Sequence, residues 1–208
     1  MIGCRTKVGL LILLGCLAGS AAPQAQQTRF IALQLIIGDR WNGEHTISYP
    51  SGRFIEGVTC GVASIWVGPR QWQHPATGRT LTVYFRSRDG QNTADQIFAV
   101  RDDQTAIGRV ADSRFGITAC DQEAKYPLGL WNQGETRTFE YVCWYGNERR
   151  AKVTTITIQH IDYECFGMAH CLRIEWVLRD KQGSGRPLDH RVYVFAPNQG
   201  MVSEAKAN

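Results

Sequence analysis

The sequence predicts an all-β fold, a curved antiparallel sheet arranged as a half-barrel or a β-sandwich, with little helix. Three observations carry that expectation. Leu172, Ile174, Trp176 and Leu178 alternate with Arg173, Glu175 and Arg179, and a two-residue period puts one set in a core and the other in water. Residues 153–159 are rich in β-branched side chains, which suit a pleated, partly buried surface. No segment sustains the three- and four-residue spacing of an amphipathic helix.

Residues 1–25 read as an export signal. Arg5 and Lys7 supply a positive start, residues 8–14 are almost wholly apolar, and small residues fill 18–22. The apolar run is well short of the roughly 20 residues that a helix needs to cross a bilayer. Leu13-Leu14-Gly15-Cys16 resembles the lipobox of bacterial lipoproteins, which makes Cys16 a lipidation candidate and residues 18–27 a flexible leash. Ordinary signal-peptidase cleavage near residues 21–25 discards Cys16 instead. Both routes lead out of the cytosol, to the periplasm, the cell envelope or beyond.

The remaining chain, residues 26–208, is long enough for one β-rich domain with a real core. Two β subdomains meeting near residues 120–131 fit the same pattern. Residues 30–37 are apolar without a clean period and suit a strand or a short helix. Short β-favouring pieces follow at 45–49, 53–59 and 62–67, separated by Pro50-Ser51-Gly52 and Gly61. Residues 80–86 alternate, with Leu81, Val83 and Phe85 on one face, and Asp89-Gly90 marks a turn after them. Further strands are expected at 97–100, 107–110 and 115–119, and a helical turn or two at 93–98 or 121–125.

Past residue 136 the pattern sharpens. Phe139, Tyr141, Cys143 and Tyr145 share a face, and Tyr145-Gly146-Asn147-Glu148 has the residues of a hairpin turn. Residues 180–187, with two Gly, a Ser and a Pro, read as a loop. A strand at 191–195 and a short last strand at Met201-Val202 complete the set.

Charge excludes one class of partner. The chain has 23 Lys and Arg against 19 Asp and Glu, and without Arg5 and Lys7 the balance is 21 against 19. That is too even to suggest nucleic acid, and no basic cluster stands out. Arg149, Arg150 and Lys152 read as a solvated strand edge that discourages edge-to-edge pairing.

Beyond Cys4 and Cys16 the chain holds Cys60, Cys120, Cys143, Cys165 and Cys171. Outside the cytosol pairing is the default. Cys165 with Cys171 is the first candidate disulfide, because the two bracket a short loop just before a strand. Cys60 with Cys120 is the second, with Cys143 left as a small core hydrophobe on the Phe139/Tyr141 face. The rival is a metal site among His160, Asp162, Cys165, His170 and Cys171. Zinc normally wants paired short spacings such as C-x₂₋₄-C, and these cysteines are wider apart. No metal site and no cofactor are therefore expected.

Catalytic signatures are sparse. No G-x-S-x-G, H-E-x-x-H or phosphate-binding glycine loop occurs. Thr59-Cys60-Gly61 puts a cysteine in a tight glycine context with His45 and His74 nearby in sequence, the ingredients of a Cys–His nucleophile pair. Asp102-Asp103 reads as turn chemistry rather than as a pair of catalytic carboxylates. Of six tryptophans, Trp66 and Trp176 sit in strands and are expected in the core. Trp41 and Trp72 are expected in polar, Gly- or Pro-containing loops beside Arg40, Arg70 and His74, and are the candidate binding residues, since an aromatic ring beside polar groups suits carbohydrate, lipid or peptide contact.

Two blocks, Tyr126-Pro-Leu-Gly-Leu-Trp-Asn-Gln-Gly-Glu-Thr and the closing Tyr193-Val-Phe-Ala-Pro-Asn-Gln-Gly-Met-Val, resemble a pattern of exported bacterial β-proteins of uncharacterised role. Their sheets are similar to the half-barrels of outer-membrane lipoprotein carriers, which cup lipid on an apolar concave face. The resemblance covers about residues 124–203 and implies a curved antiparallel sheet and an envelope location. It transfers no functional residue.

These readings converge on a non-catalytic exported envelope protein that binds a partner protein, a lipid or a glycan, meeting a membrane only through a lipid anchor. The alternatives are a small secreted or periplasmic hydrolase, using Cys60 or a metal near His160 to Cys171, and a structural lipoprotein.

Overall fold

The computed structural model describes residues 27–37, 47–48, 64–88, 96–183 and 185–207. The described residues open with a short strand, β1 (Thr28–Ile31), and one helical turn and a half, α1 (Leu33–Ile37). The apolar run at 30–37 thus divides between the two states its pattern left open. A first run of strands follows: β2 (Ile47–Ser48), β3 (Ser64–Gln73), β4 (Thr80–Arg88), β5 (Gln96–Val100) and β6 (Ala106–Asp112). Three short strands come next, β7 (Ala119–Asp121), β8 (Tyr126–Pro127) and β9 (Gly129–Asn132). The last run is β10 (Thr136–Tyr145), β11 (Glu148–Cys165), β12 (Met168–Asp180), β13 (Asp189–Ala196) and β14 (Gly200–Lys206).

All pairings are antiparallel. Sheet I has the order β2-β3-β4-β5-β6-β8, sheet II the order β14-β13-β12-β11-β10-β7, and β1 pairs with β9 alone. Each large sheet is a meander, the outcome expected when alternating segments are joined by short turns. The exchange between sheets happens at 119–132, where β7 joins the far edge of sheet II, β8 returns to sheet I and β9 leaves for β1.

One core serves both sheets. Phe98 of β5 stacks on Tyr126 of β8 at 6.0 Å between centroids, and Tyr126 meets Tyr193 and Phe195 of β13 edge-on at 5.2 and 5.3 Å. Trp176 is buried, and its indole N–H donates to the Ala124 carbonyl at 3.2 Å, the partner a buried indole needs. The Lys125 ammonium lies over the rings of Trp176, Tyr126 and Tyr193 at 5.2 to 5.8 Å, which compensates part of its desolvation. Trp66 and Trp176 occupy the core as their strand positions predict.

Gly108 shows how tightly the exchange segment lies on sheet I. A Cβ at this position would stand 1.9 Å from the Glu123 carbonyl oxygen, inside any van der Waals contact, so only glycine permits this approach. The Lys125 N–H then donates to the Ile107 carbonyl and the Leu128 N–H to that of Thr105.

Several sequence expectations need correction. The strand expected at 115–119 is instead a 3₁₀ turn at Ser113–Phe115 followed by β7, because buried Asp112 caps the turn by accepting from the Arg114 N–H. No helical turn forms at 121–125, where backbone groups bond to sheet I. Trp72 lies within β3 rather than in a loop: a register shift between Val67 and Arg70 takes up Pro69 and lets the strand continue to Gln73. Arg149, Arg150 and Lys152 do not form a sheet edge, since β11 lies between β10 and β12. Lys152 itself is buried, because it shares the inward-facing parity of Thr154, Ile156 and Ile158.

Two disulfides close. Cys165 and Cys171 clip the β11–β12 hairpin, whose turn residues Phe166 and Gly167 both have positive φ, the conformation that tight two-residue hairpins require. Cys120 pairs with Cys143, not with Cys60. The two residues are direct cross-strand neighbours in the β7–β10 register, so Cys143 is a bridge rather than a free core thiol. Cys60 lies outside the described residues. On the chain-entropy account the Cys120–Cys143 loop contributes roughly 3 kcal/mol. The Cys120→Ser/Cys143→Ser double variant should therefore lose about that much stability in urea unfolding, and a loss under about 1 kcal/mol would show that the bridge does not constrain the unfolded chain.

Candidate functional site: a cationic cleft at one end of the core

The inner face of sheet II is apolar at one end and charged at the other. From Leu172 and Phe195 through Ile158, Ile174, Ile156 and Trp176 it is aliphatic and aromatic. Toward the β10–β11 hairpin the inward positions become Tyr141, Cys143, Arg150, Lys152 and Arg191. There the sheet opens into a cleft of about 420 Å³, completed from the sheet I side by Arg109, Phe115 and Ile117 and at its mouth by Leu188 and Lys206. This volume lies within the usual range of small-ligand sites, about 300–1,000 Å³.

The floor is buried and charged. Arg109 extends from β6, where its parity matches the core residue Ile107. Its guanidinium donates to Glu123 from Nε at 3.2 Å and from Nη2 at 3.0 Å, and to Asp112 from Nη1 at 3.1 Å. Gln96 adds an amide donor to Asp112 at 2.6 Å. Burial by itself would lower the Arg109 pKa, but the carboxylates of Glu123 and Asp112 raise it further above its ordinary value, so the side chain stays charged. Removing one member of such a buried set leaves an uncompensated charge and costs more than any exposed pair.

Lys152 rises beside it, with its ammonium donating to Asp180 and lying 5.5 Å from the Tyr145 ring centroid. Tyr141 is buried, within hydrogen-bond distance of Thr154 at 3.0 Å. Burial pushes its phenol pKa well above the ordinary value, and the charge of Glu123 adds to the rise against the opposing pull of Thr154 and Arg109. At the rim, Arg150 pairs with Glu148 and stacks over Tyr145 at 4.8 Å, and Arg191 is held by Asp189 and Glu204. Phe115 and Leu188 are the apolar part of the rim, and both are more than half exposed.

The residues singled out from the sequence lie elsewhere. Trp72 is half-buried on the opposite face of sheet I, packed with Val83, Ala99 and Val110 and edge-on to His74 at 5.6 Å. Trp41 and Cys16 fall outside the described residues. His74 is buried and fully engaged. Its Nδ1 accepts from the backbone N–H groups of Ala76 and Thr77, and its Nε2–H donates to the Cys120 carbonyl at 3.1 Å, so neither nitrogen is free to serve a nucleophile. His74 instead ties sheet I to the bridged strand β7.

Of the five residues of the supposed metal site, only Asp162 and His170 face each other apart from the bridged cysteines, at 3.7 Å from Oδ1 to Nδ1. Cys165 and Cys171 are consumed by their disulfide, Asp162 pairs with Arg29 at 2.9 Å, and His160 packs against the Tyr163 ring. Among the described residues no three His, Cys, Asp or Glu side chains are grouped to hold a metal ion. Asp102 and Asp103 sit in the β5–β6 turn and pair with Arg79 and Arg101. Hydrogen bonds from Arg101 and Thr105 outweigh burial and lower the Asp103 carboxyl to about 2.

Arg109 and Lys152 were missed because a single charged residue inside an alternating strand reads as outward-facing, whereas Tyr141 lies on the face it shares with Phe139 and Cys143 and is buried there. Strand parity was the available signal: Lys152 has the parity of Ile156, and Arg109 that of Ile107. Comparison with protein families, with curated proteins and with solved structures finds no match.

The raised phenol groups of Tyr141 and Tyr193, the latter buried beside Glu204, set a sign for alkaline stability. The unfolded chain releases these protons near pH 10, below the folded values. Their contribution is therefore complete below about pH 10 and is lost as the pH rises toward the folded pKa values. In a spectrophotometric titration both phenols should ionise only as the protein unfolds, and Tyr141→Phe should remove one of these late transitions. Ionisation of both in the native state near pH 10 would refute the burial argument.

Proposed function

We infer that this protein is a non-catalytic binding module of the bacterial cell envelope, exported and disulfide-clipped, with the end cleft of its core as the ligand site. The observation that carries the reading is the cleft itself. It is a concavity of small-molecule size whose floor is buried and polar while its mouth is framed by exposed apolar side chains. That combination fixes a polar group by hydrogen bonds and leaves apolar surface for the rest of a ligand. Of the three partner classes, a lipid or a glycan end suits the dimensions better than a folded protein surface, which needs a broad face of roughly 800 Å² on each partner.

Export is supported by the leader pattern of residues 1–25 and by two disulfides, which persist outside the reducing cytosol. No helix among the described residues is long and apolar enough to cross a membrane. Attachment to a membrane then falls to a lipid on Cys16, with residues up to Gln27 as the tether. On this reading the wild-type protein partitions into the detergent phase while Cys16→Ser stays in the aqueous phase. Identical aqueous partitioning of both would remove the anchor.

The ligand reading has its own test. When the processed protein is surveyed against arrayed glycans and lipids, one class should bind saturably. Tyr145→Ala should weaken that binding about ten-fold or more, about 1.4 kcal/mol, with the thermal midpoint unchanged. Binding indifferent to Tyr145→Ala would move the function away from the cleft.

A further inference from the structure

We propose that the cleft selects an anion carried on an apolar body: a carboxylate or phosphate monoester with an alkyl or aryl substituent, its charged head on the floor between Arg109 and Lys152. This rests on the cleft being the ligand site and specifies what the site takes.

Donor counting favours an anion over a neutral sugar. A guanidinium has five N–H donors and an ammonium three, and neither has an acceptor. At Arg109, Nε–H and one N–H of Nη2 point to Glu123 and one N–H of Nη1 to Asp112, which leaves one donor on each terminal nitrogen. Lys152 directs one N–H to Asp180 and keeps two. Both side chains are buried and both line the cleft, so the floor offers donors in excess of acceptors to whatever occupies it. A carboxylate or phosphate is acceptor-only and meets that surplus. A sugar hydroxyl brings a donor of its own for each oxygen, and the only carboxylate lining the cleft among the described residues, Asp189, is already bound to Arg191.

Net charge alone would not argue this way, because Glu123, Asp112 and Asp180 back the floor cations. Selection comes from the surplus of donors over acceptors among the lining residues, in a setting where charge-assisted hydrogen bonds are the strong ones. The walls then require an apolar body. Ile117, Leu178 and the Tyr145 ring line the cleft, with Phe115 and Leu188 at its rim, and a bare anion would leave them in water. Lys206 at the exposed mouth adds a cation that steers the ligand inward.

Titration calorimetry of the processed protein with octyl phosphate, octanoate, octyl glucoside and inorganic phosphate tests the proposal. Octyl phosphate or octanoate should bind about ten-fold or more tightly than octyl glucoside, and the tighter of the two identifies a phosphate or a carboxylate source. Inorganic phosphate should bind more weakly than octyl phosphate. Lys152→Met should erase the preference over the glucoside, and Leu188→Asp, at an exposed position that leaves the fold intact, should weaken both octyl anions. Equal affinity for octyl glucoside overturns the anion and leaves the cleft as the site. Inorganic phosphate as tight as octyl phosphate overturns the apolar body. No binding of any of the four, with Leu188→Asp indistinguishable from wild type, overturns both readings.

Discussion

Residues 121–125 lie against β6 closely enough that backbone meets backbone, and both sheets are positioned by that approach. Because Gly108 has no side chain, the Glu123 backbone lies directly on the strand. From that placement the Glu123 carboxylate reaches Arg109, the Ala124 carbonyl reaches the Trp176 indole, and Tyr126 is delivered to the centre of the core. One end of the same segment carries Cys120 to its bridge with Cys143. The two meanders would otherwise be separate sheets, each with an unpaired apolar face, and neither would be stable with that face in water.

Strapping the sheets together at this point also creates the polar end of the core. Arg109, Asp112, Glu123, Lys152 and Tyr141 are all buried there, in a position that apolar side chains would fill at lower desolvation cost. A fold selected for stability alone has little use for such a set. Buried charges with donors left over, next to an open concavity, are the arrangement expected where a protein holds a ligand. At the opposite end of sheet II, Ile174, Leu172 and Phe195 are fully buried and the core is closed by apolar packing alone.

Rigidity follows the same division. The β10–β11 and β11–β12 hairpins are the longest ladders among the described residues, one bound to β7 by the Cys120–Cys143 bridge and the other clipped by Cys165–Cys171. Tyr141, Tyr145, Arg150 and Lys152 project from this braced region, so their mutual positions are set by backbone pairing rather than by loops. The mouth residues Phe115 and Leu188 lie outside the strands, on a 3₁₀ turn and a connecting loop, where adjustment to a ligand costs less.

How much of this was legible beforehand depends on the range of each interaction. Side-chain alternation is a property of neighbouring residues, so the antiparallel meander, the hairpin at Gly146 and the clip between Cys165 and Cys171 were readable from local pattern and spacing. The export signal expected at residues 1–25, with its candidate Cys16, is also a linear reading, and it lies outside the described residues. The partner of Cys120 was not readable, because it depends on β7 crossing to sheet II and pairing with β10 in a register that sets Cys143 opposite. Nor was the cleft, whose floor joins residues of β6 and β11 from different sheets. By itself the sequence determined which side chains share a strand face. Tertiary structure alone decided which faces meet, because that choice is made by packing and backbone approach between segments far apart in the chain.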